Sequence, residues 1–234
     1  MKQKPIPPAL IPYLEGKVLL IDKPLNWTSF DMVKKVRWLT RIMKVGHAGT
    51  LDPLATGLLI ICTGKYTKQI NDYMGMHKEY TGSLVLGATT ASYDLEQAPE
   101  NFKSIEAITE LAIQEARKQF IGTILQMPPQ HSAIKKDGKR LYESARQGIE
   151  VKVDPRQITI QDFEITKIDL PNVEFRVLCS TGTYIRSLVH DFGQALGVGA
   201  YMSALRRTKI GTFHVEDAMQ WEDLEKEITT LLEG

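Results

Sequence analysis

The chain has 234 residues, 43% hydrophobic and 24% charged, and its 29 Lys+Arg against 28 Asp+Glu leave a formal net charge of +1. This is the balance of a globular protein with a substantial core, and it gives no global sign of a polyanionic partner, although a local patch can bind what a total hides. No apolar run approaches membrane-spanning length, and the N-terminal Met-Lys-Gln-Lys-Pro-Ile-Pro-Pro lacks the apolar core of a signal peptide. In chain order, residues 17–22 predict a short buried strand ended by Lys23-Pro24. Thr28 or Ser29 caps a helix to about Met43, with Asp31 in its first turn and Phe30, Val33, Val36 and Leu39 as its apolar stripe. Lys34, Lys35, Arg37, Arg41 and Lys44 make the rest of that helix basic. A Gly-rich loop, Gly46–Gly57, leads into an apolar strand from Leu58 to Thr63.

Residues 78–87 predict a second strand and 104–120 an amphipathic helix carrying Ile105, Ile108, Leu111, Ala112 and Ala116. The polar segment 126–156 opens with Met-Pro-Pro, carries Lys135, Lys136, Lys139, Arg140 and Arg146, and reads as an excursion from the core. Residues 157–168 and 172–180 are β-rich and joined by a hairpin-like Pro171-Asn172. A helix from about Thr183 to Leu196 turns Ile185, Leu188, Val189, Phe192 and Leu196 inward. One more β-like stretch, 201–215, precedes an acidic amphipathic helix from Trp221. The mixture lacks strict βαβ alternation, which predicts an α+β fold whose sheet is mixed and mainly antiparallel, flanked by helices. Cys62 and Cys179 sit in separate apolar runs and read as buried free thiols of a reducing compartment, hence a cytoplasmic protein, with neither disulfide nor zinc site.

The Gly46–Gly57 run is built to present one carboxylate. Gly46, Gly49 and Gly57 permit positive φ or close packing, and Pro53 biases Asp52 toward an extended conformation. His47 and Thr50 lie nearby. On local chemistry a plain connecting turn is the favoured reading, because Asp-Pro is a common turn pair. Tyr80 opens a strand and by itself is a core or interface tyrosine. Cys179–Arg186 reads as a strand–turn–helix junction capped by Thr183, with Tyr184 and Arg186 in the first turn. An arginine there opposes the helix dipole and is better explained by a carboxylate across a cleft. The five histidines show no paired metal spacing, and His190, beside Asp191 in a helix, reads as a surface or packing residue. There is no Gly-x-Ser-x-Gly elbow, and Gly64-Lys65 is followed by Tyr66 where a phosphate loop needs Ser or Thr.

Six ordered segments together resemble the TruB family of tRNA pseudouridine synthases. They are Asp22-Lys23-Pro24 with Trp27-Thr28-Ser29; Gly46–Gly57; Lys78-Glu79-Tyr80 with Leu86–Thr90; Met127–Lys135 with Asp137–Tyr142; Cys179–Arg186; and Leu205–Gly211. The resemblance implies a pseudouridine synthase fold, one catalytic domain over 1–234 with an RNA-gripping insertion at about 126–156, and no C-terminal PUA-type domain. It implies isomerisation of uridine 55 in the tRNA T-loop without cofactor or metal. Asp52 matches the catalytic aspartate, Tyr80 the tyrosine that stacks on the base, and Arg186 the arginine paired with the aspartate. Tyr184, His47 and Lys23 match active-site neighbours, and Lys135 and Arg140 fall in the RNA-gripping insertion. The implied partner is tRNA through its T-stem-loop, with no guide RNA and no membrane, bound by a monomer. The alternative is an RNA-binding tRNA folding helper whose catalysis is secondary. The target base is stacked, so base flipping, an aromatic platform and a basic surface are expected. The basic residues at 34–44 and 135–146 are candidates for phosphate contacts, although charges on an exposed helix are more often simply solvated. The chain departs from the family at His131, where a tyrosine is usual, and at Ser92 and Glu96, with Asp94 retained.

Overall fold

The expected first strand is β1, Val18–Lys23, and it follows a short helix α1, Ile11–Glu15. The computed structural model describes residues 6–132, 134–136, 138–145, 147–149 and 151–233. They form two compact units, one of Met1–Glu79 with Arg206–Gly234 and one of Tyr80–Leu205.

In the first unit, helix α2 spans Ser29–Thr40. Thr28 and Asp31 close a capping box, Asp31 N donating to Thr28 Oγ1 (3.0 Å) and Thr28 N to Asp31 Oδ2 (3.1 Å). Such a cap stabilises a helix by about 1 kcal/mol. The helix stops short of the expected Met43 because Arg41 takes φ +61° and Ile42 N donates to the Thr40 hydroxyl, a local bond that competes with the helix. Its buried face is Met32, Val33, Val36 and Leu39; Phe30, expected there, is exposed. Strands β2, Val45–Ala48, and β3, Ala55–Thr63, absorb both ends of the glycine-rich run, so only residues 49–54 remain loop. β3 pairs antiparallel with both β1 and β2, and is almost wholly buried, as its continuous apolar sequence requires. Helix α3, Ile70–Gly75, leads into β4, Lys78–Leu86, which carries the chain into the second unit.

In the second unit the expected helix 104–120 is the shorter α4, Glu110–Lys118, started by Thr109, whose Oγ1 accepts from Ala112 N. Ile113 and Ala116 are buried and Leu111 is exposed, because the register set by that cap turns it outward. Strand β5, Gly122–Gln126, precedes the two-residue strands β6, Lys135–Lys136, and β7, Lys139–Arg140, and helix α5, Leu141–Ala145. β8, Arg156–Asp169, and β9, Asn172–Cys179, form the expected antiparallel hairpin. Helix α6 is Ile185–Ala195, beginning two residues later than expected. Its N-cap is Tyr184, while Thr183, the expected cap, donates its hydroxyl to Ser180 O. The sheet order here is β10–β4–β9–β8–β5, where β10 is Ala200–Ile210. Phe120, Phe163, Phe175 and Phe192 pack edge-to-face at centroid distances of 5.6–6.5 Å.

β10 returns the chain to the first unit, where the order is β1–β3–β10 and β10 also pairs with β11, Phe213–His214. Helix α7, Trp221–Glu233, places Trp221, Leu224 and Ile228 against the buried residues of α2, β1 and β3. The pairs β1–β3, β2–β3, β5–β8, β6–β7, β8–β9 and β10–β11 are antiparallel, in keeping with the expected mainly antiparallel sheet. Cys62 and Cys179 are buried free thiols.

Candidate active site

Asp52 starts a tight turn between β2 and β3. Ala55 N donates to Asp52 O (3.0 Å), with Pro53 at the second position, where its fixed φ suits a turn. The residues on either side of Asp52 are tied to Ser29, the first residue of α2, and to Asn26 in the turn before it. Leu51 N donates to Ser29 Oγ (2.8 Å), Ser29 Oγ donates to Leu51 O (3.2 Å), and Asn26 N donates to Pro53 O (2.8 Å). Gly57 has φ +101°, and a Cβ there would lie 2.3 Å from the Arg207 carbonyl oxygen, so only glycine lets β3 and β10 approach this closely.

The Arg207 side chain braces the same turn from within. It is 1% exposed, and it donates from Nε to Leu58 O (2.7 Å), from Nη2 to Gly49 O (3.1 Å) and from Nη1 to Thr50 O (3.4 Å). Lys23 pairs in register with Gly57 at the foot of the turn and is fully buried. Its Nζ donates to Trp27 O (2.6 Å) and Pro24 O (2.9 Å). Burial lowers Lys23 from its ordinary value to about 8; the Asp52 carboxylate opposes that shift and the Arg207 charge adds to it. His47, half-buried on β2, is also pushed below its ordinary value, first by burial and then by Arg207, against a backbone hydrogen bond with Gly49. It is therefore the neutral imidazole at pH 7. Asp22, next to Lys23, takes a two-pronged ion pair from Arg206 at 2.6 and 3.0 Å.

Tyr80 and the Tyr184–Arg186 junction belong to the second unit. Tyr80 is buried on β4 and Tyr184 half-buried at the head of α6. Gln126, 2% exposed, grips the main chain of Tyr184, accepting from its N (2.8 Å) and donating to its O (3.0 Å). Arg186 is 4% exposed, and its Nε lies 3.6 Å from Asp94 Oδ2. Its Nη1 donates to Ser92 O (3.2 Å) and its Nη2 to His131 O (2.9 Å). The carboxylate expected for a buried arginine thus includes Asp94, a retained residue that carries no role in the sequence reading. Ser92 and His131, two departures from the family pattern, meet Arg186 only through main-chain carbonyls, so changing their side chains leaves these contacts available. Lys135 and Arg140 pair across β6 and β7, while their side chains lie outside the described residues. Arg207 and Gln126 carry no signal in local sequence; both act on main-chain atoms far away in the chain.

Two family models cover most of the chain. Residues 37–185 match the TruB family pseudouridylate synthase N-terminal domain, and residues 186–233 the tRNA pseudouridylate synthase B C-terminal domain. A tRNA pseudouridine synthase B of Flavobacterium johnsoniae is 56% identical over 214 residues, covering 88% of this chain and 93% of that protein. One of the same name from Chlorobaculum tepidum is 49% identical, covering 92% of each. Among solved structures, a chain of a Cbf5–Nop10–Gar1 complex aligns at TM-score 0.73 and 32% identity. A chain of an H/ACA RNP bound to a substrate RNA containing 2'-deoxyuridine aligns at 0.72 and 29%. Each alignment covers 94% of this chain and 56% of the solved one, so the chain spans just over half the length of those neighbours.

Proposed function

This chain belongs to the TruB family of pseudouridylate synthases, and we propose that it converts uridine 55 in the T-loop of tRNA into pseudouridine. The observation that carries the reading is the Asp52 turn, a single carboxylate flanked by residues bonded to Ser29 and Asn26 and braced by Arg207 beside a buried lysine. The reaction is redox-neutral: the N1–C1' bond breaks, the C5–C1' bond forms, the proton leaves C5 and N1 gains one. Asp52 supplies the carboxylate that attacks sugar or base as the glycosidic bond opens. Tyr80 stacks on the flipped uracil and takes part in removing the C5 proton. Arg186 and Tyr184 complete the proposed set of catalytic and substrate-binding residues. Lys23 and His47 support the Asp52 turn, and Lys135 and Arg140 contact RNA. Rigid backing fits such a task, because a reacting group displaced by about 1 Å costs on the order of 10²-fold in rate.

The test incubates the protein with an unmodified tRNA transcript and maps pseudouridine by chemical probing. The expected result is product at the T-loop uridine; its absence refutes the reading. Asp52→Asn should abolish turnover while tRNA affinity stays within about threefold, and normal turnover by that variant would remove Asp52 from its role.

A further inference from the structure

Helix α2 turns a second, unburied face to solvent. Phe30, Lys34 and Trp38 recur at four-residue spacing and so lie on one side. Phe30 is 51% exposed and Trp38 73% exposed, so neither ring is needed to fill the core. Cations sit on the aromatic rings here: Lys34 Nζ is 4.9 Å from the Phe30 centroid and Lys35 Nζ 4.7 Å from that of Trp27. Beside this face runs a groove of about 670 Å³ lined by Asn26, Trp27, Lys34, Lys35 and Trp38 together with two carboxylates, Asp31 and Glu225. Asp31 is engaged by the Thr28 cap and by Lys34. Arg41 and Lys44, both exposed, extend positive charge past the helix end.

One residue of the groove's lining is bonded to the Asp52 turn. Asn26, which lines the groove, donates its N–H to Pro53 O, and Ser29, the first residue of α2, is bonded to Leu51. From Ser29 to Trp38 the helix rises roughly 14 Å. We propose that this groove holds the single-stranded RNA adjoining the target uridine, with a base stacked on Trp38 and phosphates on Lys34 and Lys35. The inference rests on the RNA-isomerase reading and extends its substrate contacts beyond the reacting nucleotide. Alternating rings and cations match the base–phosphate repeat of a single strand, whereas lysine is depleted where proteins dock.

The experiment compares wild type with Trp38→Ala, Trp38→Phe and the double variant Lys34→Glu/Lys35→Glu on one unmodified tRNA transcript. It measures Kd at several salt concentrations, steady-state kinetics and sedimentation. Trp38→Ala should weaken Kd roughly 5- to 150-fold, the range of one lost base–aromatic stack, with the loss falling on KM, and Trp38→Phe should restore most of it. Reversing both lysines should flatten the plot of log K against log salt by about 1.4, the value for two single-strand phosphate contacts. Wild-type Kd and salt slope in both Trp38→Ala and the lysine variant would overturn the groove assignment while T-loop turnover still upheld the enzyme. Conversion of a dimer to a monomer by Trp38→Ala, with RNA affinity unchanged, would give this face to a second copy and also overturn it. Absence of wild-type turnover together with weakened binding in Trp38→Ala would retain the RNA groove and refute the isomerase reading instead.

Discussion

Arg207→Met keeps the aliphatic stem and deletes the guanidinium that holds the Asp52 turn. Three acceptors lose their donor, and they are not equal. Leu58 is fully buried and receives the shortest bond, 2.7 Å, so its carbonyl bears most of the penalty. Gly49 is half-buried at 3.1 Å, while Thr50 is exposed at 3.4 Å and adds little. A charged hydrogen bond contributes about 1.5–3 kcal/mol net, so the variant should lose about 3–5 kcal/mol. That is a large share of the roughly 5–15 kcal/mol of an ordinary domain. The turn should also loosen, lowering kcat on T-loop RNA by on the order of 10²-fold. Losing the positive charge should raise the pKa of both Lys23 and His47, since Arg207 lowers each. Arg207→Lys keeps the charge and one donor and should fall between. Urea unfolding with steady-state kinetics decides the matter. Arg207→Met within about 0.5 kcal/mol of wild type, with kcat unchanged, would refute the bracing argument, because that is the ordinary effect of a surface substitution.

Gly57→Ala should cost about 3 kcal/mol or more, since φ is +101° and the new methyl meets the Arg207 carbonyl at 2.3 Å; a loss under 1 kcal/mol on urea unfolding would refute it. Lys23 gives a pH signature. Its folded value is about 8 against an ordinary 10.5, so above pH 8 the unfolded chain holds a proton that the folded one has released. Stability from this group should therefore rise with pH between about 8 and 10.5, by up to about 1.4 kcal/mol per unit, with the burial penalty fully present below 8. Thermal midpoints from pH 7.5 to 9.5 should climb less steeply in Lys23→Met, and equal slopes would contradict the assignment. Gln126→Leu should lose about 2 kcal/mol by stranding the Tyr184 main chain, and should lower kcat by loosening the start of α6; full stability on urea unfolding would show that the grip is redundant.

The strands were largely legible because their signals are local. Residues 17–22 and 58–63 read as apolar runs and fall within or beside β1 and β3, and the β8–β9 hairpin reads as two β-rich segments around Pro171-Asn172. Helix ends were less legible, because hydroxyls decided them. Thr109 starts α4 late, and Thr40 with Arg41 stops α2 early, at positions where the apolar periodicity continues smoothly. The helix faces at Phe30 and Leu111 misled for a related reason. Periodicity identifies a stripe of apolar residues, but it does not exclude one left in water, and Phe30 now belongs to a surface with its own proposed use.

The candidate site divides along a different line. Asp52, Lys23 and His47 could be singled out through the ordered segments that resemble the TruB family, whereas local chemistry alone favoured a plain turn. What holds them could not. Arg207 reaches Gly49 across 158 residues, and Gln126 reaches Tyr184 across 58, each through backbone atoms that any residue would offer. The same fact explains why the departures at Ser92 and His131 are compatible with a retained Arg186 pocket. Two of the three described contacts of that guanidinium are to carbonyls, and a carbonyl survives substitution of its own side chain. The third is the carboxylate of Asp94, the residue of that stretch which has not changed. For the contacts with Arg186, side-chain identity is thus demanded at Asp94, while Ser92 and His131 need supply only their carbonyls, as expected where a buried charge needs a counter-charge but its remaining N–H groups need only acceptors.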